Sequence, residues 1–164
     1  MSTAAAPAQR RKLQFSTLDE LRADIEAVSG GPYTTVGNWS FAQILDHLAD
    51  TMNSSIDGFP FKAPWFFRWC IAPLIKNSIL TRPMKAGHKL PKKYSSFLPS
   101  EDCTIEEALP KVLNAIKRFE TETPTADHPG FGKMASEEWT QLHLRHAELH
   151  MSFVVPTETP GEAD

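Results

Sequence analysis

Along most of this chain apolar residues recur at the spacing of helices lying on a common core. Leu18, Leu21, Ile25 and Val28 form a first stripe, and Phe41, Ile44, Leu45, Leu48, Ala49, Met52 and Ile56 a second. A third runs through Ala108, Leu109, Val112, Leu113, Ile116 and Phe119. Between Trp139 and Pro156 the pattern puts Leu142, His146, Leu149, His150 and Phe153 on one face, with Trp139 and His143 at its margin. The first three stripes open on capping boxes, Thr17-x-x-Glu20, Ser40-x-x-Gln43 and Thr104-x-x-Glu107, and Ser136 is expected to cap the fourth. Gly30-Gly31-Pro32 and Asp57-Gly58-Phe59-Pro60 stop the first two helices, and Pro156 is expected to stop the last. Pro110 lies too far into the third helix for a first-turn proline and predicts a kink or a later start. No stretch alternates strictly enough to read as a strand. These signals predict an all-α four-helix bundle.

The connection between helices two and three breaks the pattern. Residues 59–100 hold six of the 13 prolines, and six aromatic residues crowd into Phe59 to Trp69. Phe66 to Leu80 is expected to form one helix, or two broken at Pro73, and Arg82 to Ser100 a surface loop, so that the whole serves as a lid or flap. At 164 residues the chain is long enough for one domain, drawn here as 13–156 between disordered tails at 1–12 and 157–164. The acidic composition of the second tail supports that boundary.

The net charge of −3 conceals a segregation. No acidic residue stands between Asp57 and Glu101, where Lys62, Arg68, Lys76, Arg82, Lys85, Lys89, Lys92 and Lys93 place eight positive charges. Such a segment favours an anionic substrate, membrane surface or acidic partner, with Arg68, Lys76 and Arg82 as candidate anion-attracting residues. A recognition-helix motif for nucleic acid is absent, and no apolar run is long enough to span a membrane. Cys70 and Cys103 make no disulfide framework, so a cytoplasmic location is expected.

His146 and His150, four residues apart on a helix, can reach one metal ion together. Core histidines bonded to neighbours would show the same spacing. In a bundle His47 of the second helix can join them, and three imidazoles with an open position form the pattern of a catalytic site for a zinc-like ion. His143 is a rival ligand or a partner to a ligand, and Asp50 a carboxylate that could fix a ligand's tautomer. Glu148 points away from the histidine pair, which excludes a zincin arrangement.

Trp39-Ser40 followed by His47-Leu48, with Trp139 through His146-Ala147-Glu148-Leu149-His150, resembles the DinB-like (YfiT-type) metalloenzyme superfamily. The loop His128-Pro129-Gly130-Phe131-Gly132 before Glu138-Trp139 resembles its DUF1569 branch more closely. This resemblance implies a down-up-up-down bundle and a divalent metal, zinc or nickel, on His47, His146 and His150. It also implies pairing of bundles as a homodimer. Relatives in that superfamily are thiol-dependent, such as mycothiol-dependent maleylpyruvate isomerase and bacillithiol or mycothiol S-transferases. The resemblance therefore implies a metal-dependent transferase or isomerase acting on a small molecule, with a low-molecular-weight thiol as co-substrate. The alternative is a non-catalytic binding or stress-response bundle with a structural metal or core histidines.

Overall fold

The computed structural model describes residues 9–87 and 98–157. Residues 1–8 and 158–164 of the expected tails, and His88, Lys89, Lys92 and Lys93 of the basic segment, lie outside the described residues. The chain is mostly helical, with five α-helices and one two-stranded sheet among the described residues. These are α1 (Leu18–Ser29), β1 (Tyr33–Thr35), α2 (Phe41–Asp57), α3 (Ala72–Thr81), α4 (Ile105–Thr121), α5 (Ser136–Met151) and β2 (Val154–Pro156).

Helix starts follow the capping chemistry. Thr17 Oγ1 accepts from the Glu20 N–H at 3.2 Å. Ser40 Oγ accepts from the Gln43 N–H at 3.2 Å, while the Gln43 side chain accepts from the Ser40 N–H at 2.9 Å. Each arrangement satisfies donors that a first turn leaves without intrahelical partners. Helix α2 packs along α4 and also against α5, whereas α1 closes over α4 and α5. Their shared core is built from Leu21, Ile25, Phe41, Leu45, Ile116 and Leu144, with further residues of the same stripes. A second apolar cluster, Leu80, Phe119, Trp139 and Leu142, joins α3 to α4 and the start of α5.

Four expectations need correction. The chain is not wholly α-helical: Tyr33, Thr34 and Thr35 pair antiparallel with Pro156, Val155 and Val154. Three-residue strands are too short to show alternation, although their β-branched and aromatic residues suit a ladder. The last helix accordingly ends at Met151, before Pro156. Its N-cap is Ala135, not Ser136, and the Glu138 carboxylate accepts the Ala135 N–H at 3.0 Å. Helix α4 starts at Ile105 and runs through Pro110. Glu106, whose carbonyl loses its donor to that proline, is exposed as Pro110 is, so water can take the donor's place.

In the connection, Phe67–Ile71 form a π-helical turn leading straight into α3. The Ala72 N–H bonds the Phe67 carbonyl. Pro73 cannot supply the N–H that would meet the Trp69 carbonyl, so the proline re-spaces one helical run rather than dividing it.

Residues 10–15, partly grouped with the N-terminal tail above, form a strap across α5. The Arg11 N–H donates to the Ser152 carbonyl at 2.9 Å. The Arg11 guanidinium grips both carboxylate oxygens of Asp24. Phe15 is buried; its N–H donates to Glu148 Oε1 at 2.6 Å and its carbonyl accepts from Arg145 Nη2 at 2.5 Å. Arg145 and Glu148 are themselves an ion pair at 2.5 Å.

Candidate metal centre

The Ser40–Gln43 box fixes the start of α2 two turns before His47, and the packing of α2 on α5 sets His47 opposite His146 and His150. One nitrogen from each ring lies within 4.8 Å of the others. His47 Nε2 and His146 Nε2 stand 3.2 Å apart. Ring centroids are separated by 5.0 Å for His47 and His146, 4.9 Å for His47 and His150, and 4.6 Å for His146 and His150. All three ring pairs meet edge to face.

Two ligands about 2.05 Å from a tetrahedral ion are roughly 3.3 Å apart, so the 3.2 Å separation already suits one edge of such a shell. The donors suit it as well. Burial pushes the His146 proton affinity well below the ordinary histidine range, and His150 and His47 push it further. His150 is lowered to about 3 by burial, then by His47 and the positive charge of Arg10. Both rings are therefore neutral at pH 7, the state in which imidazole binds metals. The three histidines can hold a metal ion.

Trp39 forms a wall of this site. Its indole stacks on His150 at 5.2 Å with an interplanar angle of 10° and meets His47 edge-on at 5.0 Å. Sequence reasoning placed Trp39 in a motif and gave it no role; its position just before a helix cap was the available signal. Arg10 was also missed. Its guanidinium donates to Ser152 Oγ, covers the Phe153 ring at 4.0 Å and lies within electrostatic reach of His150. A cavity of about 310 Å³ opens beside it between residues 10–13, Pro83, Met84 and the Glu148–Ser152 end of α5. The three histidines do not line that cavity.

The other candidates stand elsewhere. His143 is buried against Phe119 and Trp139 and pairs with Ser55 Oγ at 3.2 Å. Because the Ser55 hydroxyl donates to the Met52 carbonyl, its lone pairs accept from the His143 Nε2–H. Asp50 pairs with Lys111 at 2.6 Å, as does Asp46. Lys76 pairs with Glu138 at 2.7 Å, and Glu138 lies 12 positions before His150, roughly 18 Å along the helix. Arg68 lies by the Gly132 turn, and Arg82 is exposed at the end of α3. His128 Nδ1 accepts from the N–H groups of Gly130 and Phe131, which fixes the 128–132 turn.

The chain belongs to the family described as "Protein of unknown function (DUF1569)", whose model matches residues 7–157. No curated protein and no solved structure matches it.

Proposed function

We propose that this DUF1569 chain is a metal-dependent enzyme on the four-helix bundle of the DinB-like superfamily, with α1, α2, α4 and α5 as the bundle and α3 in its long connection. The observation that carries this reading is the convergence of three imidazoles from two helices on a point walled by Trp39. His47, His146 and His150 hold a divalent ion, zinc or nickel. The ion supplies Lewis acidity, lowering the pKa of a water or thiol ligand toward neutrality.

This chain's own residues do the rest. Burial keeps His146 and His150 free of protons, so the donors remain available into mildly acidic solution. Trp39 limits ring rotation and excludes water from one side. Arg10 sets a fixed positive charge near His150, which suits an anionic thiol or substrate. The reaction class that fits is transfer or isomerisation of a small electrophile with a low-molecular-weight thiol as co-substrate.

Elemental analysis tests the reading on purified wild type beside His47→Ala and His150→Ala variants checked for folding. The expected result is about one divalent ion per wild-type chain and loss of that ion from both folded variants. Wild type that is folded, metal-free and takes up neither added zinc nor nickel would overturn the proposal.

A further inference from the structure

The helical run formed by Trp65, Phe66, the π turn and α3 exposes its residues in pairs. Trp65 and Phe66, Trp69 and Cys70, Pro73 and Leu74, and Asn77 and Ser78 face outward. The intervening pairs, including Ala72 and Leu80, turn wholly or partly inward. A spacing of four drifts by about 40° per step around an ordinary α-helix, and the wider π turn takes up part of that drift. The result is one continuous outer face along a helix that packs on α5 with its opposite side.

That face is apolar over its first three pairs and polar over its last. Trp65 is 74 % exposed, Phe66 54 %, Trp69 78 % and Leu74 81 %. Four large apolar side chains exposed on one face of one helical run are more than the scattered exposure an ordinary surface carries, and suit a docking face. The face itself carries no charged residue, and the charge of the segment around it narrows what docks: Lys76 is paired with Glu138, while Arg82 is exposed at the end of the run. From Gly58 to Ser100 the sequence has basic residues and no acidic one. Lys62 lies just before the aromatic group, and Arg82 and Lys85 follow α3.

A second copy of this chain would bring two basic segments together, which like-charge repulsion opposes. A nucleic acid would find two indoles for stacking beside Leu74, Pro73 and Cys70, but no charged group on the face itself to meet its phosphates and only the indole N–H donors to read its bases. Acyl chains below anionic headgroups match both halves of the pattern, because indoles favour that interface and neighbouring cations favour the headgroups. We infer that the face centred on Trp65, Phe66, Trp69 and Leu74 docks this protein peripherally on an anionic lipid surface. Binding lays the helix in the interface plane; no helix among the described residues is long and apolar enough to cross the bilayer.

The test is co-sedimentation of the full chain with vesicles of phosphatidylcholine alone and with phosphatidylserine added to about one quarter. Wild type is expected to sediment with the anionic vesicles at low salt and to be largely released at high salt, with a blue shift in tryptophan emission. Exposed Cys70 should become slower to alkylate with a water-soluble maleimide when vesicles are present. Trp65→Ser/Trp69→Ser should lower partitioning by about tenfold or more, leaving circular dichroism and metal uptake unchanged. The Trp65→Phe/Trp69→Phe variant should retain most binding. Failure of wild type to bind anionic vesicles at low salt would overturn the inference, as would undiminished binding by the serine variant. A lipid-indifferent dimer abolished by the same substitutions would assign the face to a second copy instead. Binding confined to single-stranded oligonucleotide would likewise remove the lipid reading.

Discussion

His143 and His146 are one turn apart on α5, yet their surroundings give them different work. His146 meets two other imidazoles, whereas His143 donates to Ser55 between two aromatic rings. Periodicity put His146 on the inner face and His143 at its margin but could not assign their roles, because these depend on which residue of α2 stands opposite. Burial lowers the His143 pKa to about 3, against 6.5 for the free side chain. Between those values the unfolded chain binds more protons, so the stability this residue contributes is complete above about pH 6.5 and is lost progressively as pH falls toward 3. Urea unfolding of metal-free protein should show a loss of about 2 kcal/mol from this residue between pH 7 and pH 5. His143→Gln, which keeps a donor for Ser55, should flatten the profile by that amount and leave metal content intact; an unchanged slope would refute this account. Trp39→Ala removes the wall on His150 and should weaken metal affinity by about tenfold, read by competition with a coloured chelator.

At the scale of elements, local chemistry was legible where it was strong. The Ser40–Gln43 box and the Asp57-Gly58 stop bounded α2 because side chains within four residues determine those ends. Ser40→Ala should cost about 1 kcal/mol in equilibrium unfolding. The end of α5 was not legible: helical spacing continues through Phe153, but pairing with β1 claims Val154 to Pro156, and β1 lies some 120 residues earlier. For Pro110 the later helix start was the part overread, for a related reason. Tertiary packing of Ala108, Val112, Ala115 and Ile116 holds α4 continuous through a residue that disfavours it locally. Pro110→Ala restores a donor for the Glu106 carbonyl and should raise stability by about 1–2 kcal/mol, partly offset by a freer unfolded chain. A fall in stability would show that the proline ring makes a contact worth more than that bond.

For the molecule as a whole, the strap is what the sequence reading missed most completely. Residues 10–15 have no periodicity of their own, and their partners lie on α1, on α5 and at Ser152 just beyond it. Glu148 was read only as pointing away from the histidine pair; in the fold it and Arg145 are buried and clamp both backbone groups of Phe15. Arg145→Leu leaves the Glu148 carboxylate without its cation and should cost about 3 kcal/mol or more in urea unfolding. It should also release the strap, so that limited trypsin digestion cuts at Arg10 and Arg11 faster than in wild type. Equal cutting rates would show that Ser152 and Asp24 hold the strap without the clamp.

Synthesis order gives this closure a further consequence. The segment that seals α5 leaves the ribosome before that helix, and its anchors at Glu148 and Ser152 follow more than 130 residues later. His47 likewise waits 99 positions for His146. Loops of that length must close before either contact returns any free energy, so folding should be slow for so helical a chain and completed only after synthesis of α5. Until then the nascent chain presents Phe15 and the side of α2 that meets α5 without cover, which makes that interval its most aggregation-prone.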